Sequence, residues 1–240
     1  MKEHDARHRP IRSYVLRTGR LTPGQEKAFE RYWPLYGVDF TPGKPLNFSA
    51  LFGDTHPVWM EIGFGNGASL VEMARQFPER NYLGIEVHTP GVGHLLREVA
   101  EQKLSNIRVM SHDAIEILKE AIPEQSLAGL QLFFPDPWHK KKHHKRRIVQ
   151  SAFVELLATR LQPDGIFHAA TDWQDYAQHI MSVFSSREDL FRNLAGAGQY
   201  SPRPTTRPVT KFEKRGERLG HDSWDLIFQR TSDPGFKSIR

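Results

Sequence analysis

The sequence predicts an α/β domain whose parallel sheet is covered by helices on both faces. Three observations predict it. From Val58 onward, short apolar runs alternate with amphipathic stretches of about ten to fifteen residues, the pattern of parallel strands joined by helical crossovers. The first of these runs ends in a glycine-rich turn that opens a helix, and in such sheets ligands bind beyond the carboxyl ends of the strands. A chain of 240 residues, 38% hydrophobic and 25% charged, supplies a single core of this kind rather than two.

The elements follow in order. After a basic arm, LTPGQEKAFERYW reads as a helix that starts near Pro23 and carries Ala28, Tyr32 and Trp33 on its apolar side. Residues 34–56, rich in Pro, Gly and Phe, read as a connector or as the bed of a neighbouring element. The strand VWMEIG leads to the helix ASLVEMARQF, the strand NYLGIEVH to GVGHLLREVAEQKL, and NIRVMS to AIEILKEAI. A fourth strand, LAGLQLFF, is separated from the helix IVQSAFVELLATRL by a basic loop. GIFHAATD and QDYAQHIMSVF form a fifth pair, and SWDLIFQR closes the sheet after a turn-rich segment. The expected units are an arm and helix over residues 1–33, a main domain over 34–232 and a tail over 233–240.

The net charge of +5 is unevenly spread. Residues 1–20 hold six Lys/Arg and two acids, residues 139–147 hold six and none, and residues 203–218 hold six and two. An acidic body therefore wears three basic segments, which points to a polyanionic partner of the nucleic-acid type. With no cysteine, disulfides and thiolate chemistry are excluded. No window is long and apolar enough for a membrane span, and the N-terminus lacks the apolar stretch of a signal peptide, so a cytoplasmic location is expected.

The first strand ends in Glu61 and runs into Gly63, Gly65 and Gly67. Glycines at alternate positions let the backbone turn tightly and approach a ligand. This GxGxG spacing is not the GxGxxG of a dinucleotide fold, whose helix N-terminus faces a pyrophosphate. Acids follow the first three strands: Glu61, Glu86 and Asp113. That set suits S-adenosyl-L-methionine, which has no phosphate but offers an amine, a sulfonium, ribose hydroxyls and an adenine amino group. Glu86 stands 19 residues after Gly67, the separation at which an acid accepts from ribose hydroxyls.

After the fourth strand comes Phe134-Pro135-Asp136-Pro137-Trp138-His139-Lys140. Two prolines fix the backbone on either side of Asp136 and hold an acid in place. Trp138 either packs under this loop or flanks a base. His139, His143 and His144 sit among so many cations that no metal is assigned to them.

At this point the sequence closely resembles the bacterial single-subunit tRNA (guanine-N7-)-methyltransferases. The resemblance covers nearly all of the chain, through RSYVLRTGRLTPGQ, EIGFGNG, GIEVH, FPDPWHKKKHHKRR, TDW and TKFEKRG. It implies a class I, Rossmann-like methyltransferase fold with an antiparallel edge strand. It implies methylation of the variable-loop guanine of tRNA, nucleotide 46, with S-adenosyl-L-methionine as donor. Carried over by motif, Glu61, Glu86, Asp113 and Asp136 match the family's cofactor positions, with Asp136 also the proposed catalytic acid. Lys140, Asp172, Thr210, Lys211, Phe212 and Glu213 match its substrate positions. Lys142, His143, His144, Lys145, Arg146 and Arg147 match its RNA-contacting stretch. Lys142 stands where relatives often carry arginine, which keeps the charge but gives up a bidentate contact.

The chemistry is arguable from the residues too. Guanine N7 has an in-plane lone pair and no proton, so its attack on a sulfonium methyl needs no obligatory base. Methylation places positive charge on the purine, and a carboxylate beside the ring stabilises it as it develops. Asp136 and Asp172, which end the fourth and fifth strands, are both placed for this; either also serves to accept guanine N1 or amino hydrogens. Two rival readings remain: methylation of an exocyclic amine, since the Pro-Asp-Pro-Trp loop is distantly similar to the loops of such enzymes, and a non-catalytic RNA-binding protein that keeps a cofactor pocket. SPRPTTRPVTKFEKR is expected to form a second RNA surface.

Overall fold

The computed structural model describes residues 12–15, 21–209, 213 and 222–232. Each apolar run read as a strand forms one: β1 (Val58–Ile62), β2 (Asn81–Ile85), β3 (Ile107–Met110), β4 (Leu127–Phe133), β5 (Leu161–Thr171) and β7 (Trp224–Arg230). A three-residue strand, β6 (Phe191–Asn193), was not expected. The helices are α1 (Pro23–Tyr36), α2 (Phe48–Phe52), α3 (Ala68–Gln76), α4 (Thr89–Glu101), α5 (Ala114–Glu120), α6 (Ser151–Arg160) and α7 (Gln174–Ser185).

The strands form one sheet in the order β3-β2-β1-β4-β5-β7-β6. From β3 to β5 all neighbours are parallel, and β7 runs antiparallel to both β5 and β6. The antiparallel strand thus lies one place in from the edge, with β6 outside it. Buried on both faces, the parallel strands read as continuous apolar runs, and β2 is buried at every position. Two cores result. Side chains of α3 and α4 pack one face together with Phe29, Tyr32 and Trp33 of α1. Those of α5, α6 and α7 pack the other.

Local chemistry fixes the helix ends. Thr22 and Gln25 form a reciprocal capping box at α1, with Pro23 in its first turn. The Gln25 side chain also donates to the carbonyl of Pro90 (3.0 Å), fastening α1 to the start of α4. α2 is capped by Asn47 and closed by left-handed Gly53. β5 starts at Leu161, four residues before the expected start, because Leu127 pairs with Leu161 but Gly129 pairs with Ile166. The chain runs from β1 out to β3 and returns at β4 on the other side of β1. The carboxyl ends of β1 and β4 therefore flank the switch point where ligands bind in such sheets.

Candidate active site

The turn after β1 is left-handed at all three glycines, with φ of 74° at Gly63, 60° at Gly65 and 79° at Gly67. Conformation alone demands glycine at Gly63, where a Cβ would meet nothing within 4 Å. At Gly67 a Cβ would also sit 2.6 Å from Leu95, so helix packing adds to the demand.

Two adjoining hollows open beside this turn and share Gly63 and Phe134 in their walls. The larger, about 810 Å³, is lined by Glu61, Gly65, Ser69 and His94, with Phe133 and Val209 opposite. The smaller, about 220 Å³, is lined by Glu86, Val87, Ile85, Pro135 and Asp136, and Ser13 and Tyr14 of the N-terminal arm cover it.

The three acids at or just beyond the ends of the first three strands are held in three different ways. Glu86 is only 9% exposed. It accepts from the backbone N–H groups of Gly65 (2.9 Å), Val87 (2.7 Å) and His88 (2.9 Å), so the glycine turn sets its carboxylate. Asp113 caps α5, accepting from Ile115 (2.8 Å) and Glu116 (3.3 Å). Its charge faces the Tyr14 hydroxyl, whose pKa is raised by burial and then by Asp113. Glu61 is buried; Ser69 Oγ donates to one of its oxygens at 3.3 Å, and the other has no hydrogen-bond partner. Burial pushes its pKa up to about 8, with the Glu86 charge adding to the rise and Ser69 opposing it. An orphaned carboxylate facing a cleft is a site for a cationic ligand group.

The β4 loop stands across the cleft. Phe134 and Trp138 both have φ of 50°, a conformation non-glycine residues hold only under constraint. The constraint at Phe134 is a hydrogen bond from its N–H to the carbonyl of Ala170 (2.7 Å). Of the two readings of Trp138, the structure shows packing. Its indole N–H donates to the carbonyl of Ser13 (3.1 Å), and the Arg146 guanidinium lies 3.8 Å over its ring. Asp136, His139, Lys140 and Asp172 are exposed.

The basic run forms a 3-10 turn over Lys141–Arg146. Lys141, Lys142 and Lys145 are exposed. Partial desolvation, then the surrounding cations, hold His143 below its usual pKa. Arg146 is half-buried and donates to the carbonyls of Arg12 (3.0 Å) and Tyr14 (2.8 Å). Arg147 departs from the expected RNA-contacting stretch. It is 2% exposed and turned inward, donating to the carbonyl of Pro137 (2.9 Å) and to Asp175, with His144 beside it. Its hydrogen bond holds the Asp175 carboxyl below the usual range.

The segment after β6 departs from expectation in a similar way. Arg207 is buried, not part of a second basic surface. It grips Glu213 (2.7 and 2.8 Å) and Asp225 (2.7 and 2.8 Å), while His168 contacts Asp225 at 2.7 Å. Burial raises the Asp225 pKa, but hydrogen bonds from His168 and Arg207 outweigh it and leave it lowered. Thr210, Lys211 and Phe212 lie outside the described residues.

Comparison with known proteins gives the family of the chain. Residues 55–226 match a family model described as "Putative methyltransferase". The tRNA (guanine-N(7)-)-methyltransferase of Aeromonas hydrophila is 58% identical over 93% of this chain and 94% of its own length. That of Escherichia coli K12 is 58% identical over 95% of this chain and 96% of its own. The chain belongs to the tRNA (guanine-N7-)-methyltransferase family.

Solved structures agree on the fold, which is the class I methyltransferase fold. The 16S rRNA methyltransferase KamB superposes with a TM-score of 0.57 at 15% identity, covering 80% of this chain and 98% of its own. The [4+2]-cyclase SpnF superposes at 0.51 with 13% identity, covering 87% and 80%. A cyclase on the same scaffold means that in this methyltransferase the site must carry the functional argument, not the fold. The structure brings Glu61, Glu86 and Asp136 to the two hollows, with Asp113 beside the smaller one. It also brings residues that sequence reasoning missed: Tyr14, Ser69 and Phe134. Only Ser69 carried a signal, at the second position of the helix opened by the glycine turn. Among the described residues no group of three or more His, Asp or Glu is arranged to hold a metal, and no helix is long and apolar enough to cross a membrane.

Proposed function

We propose that this family member transfers a methyl group from S-adenosyl-L-methionine to N7 of guanine 46 in the variable loop of tRNA, forming N7-methylguanosine. The observation that carries the donor is Glu61: a buried carboxylate with an unpartnered oxygen, facing a cleft, fits a ligand with an amine and a sulfonium. In this reading Glu86, fixed by the glycine turn, accepts from the ribose hydroxyls, and Asp113 accepts from the adenine amino group. S-adenosyl-L-methionine supplies an activated methyl group. The tRNA and the N7 atom are supported by the named relatives, which match almost end to end.

The chain's own work is positioning and electrostatics. N7 carries no proton, so no side chain must remove one before attack. Asp136, and Asp172 at the end of the neighbouring strand, stand where a carboxylate offsets charge developing on the purine. The exposed Lys140, Lys142 and Lys145 supply backbone contacts to a folded polyanion that is read by shape. Thr210, Lys211 and Phe212 complete the substrate positions in this reading, with Glu213 behind them turned inward onto Arg207, in a cytoplasmic setting. The test is incubation with labelled donor and total tRNA, followed by borohydride and aniline, which cleave at N7-methylguanine. Cleavage at nucleotide 46 is expected; methyl incorporation without cleavage overturns the N7 assignment.

A further inference from the structure

One buried guanidinium locks the β4 and β5 loops together. Arg147 reaches Pro137 in the first and Asp175 in the opening turn of α7 with the second, and its side chain is 1% exposed. What this lock presents outward is an indole. Trp173 is 39% exposed, the one aromatic among the large exposed apolar side chains of the described residues. Its backbone is firmly held: the N–H donates to Thr171 Oγ1 (3.2 Å), and the carbonyl accepts from Tyr176 (2.9 Å) and Ala177 (3.0 Å). The ring meets the His139 imidazole edge to face, with centroids 4.2 Å apart and planes at 78°. A single contact of this kind covers at most one face of the indole. Asp172 precedes Trp173 in sequence, and His139 follows Asp136 by three residues, so the ring pair stands where the two acid-bearing loops meet.

We propose that Trp173, backed by His139, is the stacking surface for the guanine displaced from the tRNA. The inference rests on the function proposed above and adds the residue that receives the base. A base taken out of a folded RNA loses its stacking, and an aromatic side chain replaces it without regard to sequence. The chemistry adds a second reason. Methylation at N7 turns a neutral purine into a cation, and an indole face attracts a cation more strongly than a neutral ring. The contact therefore strengthens on the way to the transition state and supports turnover as well as binding.

Single-turnover methyl transfer with Trp173→Phe, Trp173→Leu and Trp173→Ala tests this. The phenylalanine variant is expected within about threefold of the parent, and the leucine and alanine variants about tenfold or more slower, the scale of one lost base–aromatic stack. Affinity for S-adenosyl-L-methionine stays unchanged in all three. In tRNA binding, the deficit of Trp173→Leu should vanish on a tRNA whose target nucleotide is abasic. Leucine as active as phenylalanine overturns the proposal, since it keeps apolar bulk without a π face. So does a deficit that persists on the abasic tRNA. A parent protein that methylates no tRNA overturns the functional reading itself, a different outcome from an active parent indifferent to residue 173.

Discussion

The cofactor-side cleft and the basic turn over Lys141–Arg146 carry opposite charge and are built in opposite ways. In the cleft, the geometry of the acids is set in advance. Glu86 is held by three backbone donors, Asp113 by a helix cap, and Glu61 keeps one oxygen unpartnered. At the turn, Arg146 and the Arg147 that follows it are spent on structure while Lys141, Lys142 and Lys145 remain in solvent. The difference follows from what each would recognise under the proposed function. A small cation is bound by one well-placed carboxylate, whereas a polyanion is bound by the number of cations it meets.

Exchanging charge for shape at Asp136 probes the acid side most severely. Asp136→Asn keeps the loop, so single-turnover methyl transfer should fall about a hundredfold or more, a larger loss than that of donor or tRNA affinity. A small effect, set against a large one for Asp172→Asn, would exchange the two roles.

The basic side divides by residue. Changing Lys141, Lys142 and Lys145 together to alanine should flatten the slope of log tRNA affinity against log salt by about two, at about 0.7 to 0.9 per lost phosphate contact. Arg147→Ala should instead lower the melting temperature, because it leaves the Pro137 carbonyl and Asp175 without their donor, and should leave the salt slope near that of the parent. An Arg147 variant with a flattened slope and an unchanged melting temperature would return it to the RNA surface.

The smallest expected effect is a proton. The Glu61 pKa is raised from 4.5 to about 8, so between these values the folded protein holds a proton that the unfolded chain has lost. Stability contributed there is fully present below the ordinary carboxylate range, declines as pH rises, and levels off above about 8. A cationic ligand favours the ionised form, so binding near pH 7 should release up to one proton, and affinity should rise with pH toward about 8. Calorimetry in buffers of different ionisation enthalpy measures that release, which Glu61→Gln should abolish. A buffer-independent enthalpy in the parent would mean that Glu61 is already ionised before the ligand arrives.

Much of this was legible in the sequence where a local pattern reports a local structure. The alternation from Val58 onward gave the strands, and acids at strand ends gave the cleft. α2 and β6 were not legible, being too short at five and three residues to show a period. Burial of the two arginines was not legible either. Arg147 finds Asp175 28 residues away and Arg207 finds Asp225 18 residues away, and in the sequence both look like the solvated cations around them. Tyr14 over the cleft is the extreme case, carried there by an arm whose partner Trp138 lies 125 residues from Ser13.

Apart from the Tyr14 hydroxyl, which faces Asp113, the described part of that arm is gripped through its main chain. Trp138 and Arg146 donate to the carbonyls of Ser13, Arg12 and Tyr14, and every amino acid, proline included, presents a carbonyl. The grip is therefore blind to the identity of the residues it holds. Arg12 and Ser13 can drift in sequence without loosening the arm, while the burden of keeping it falls on the two side chains that donate.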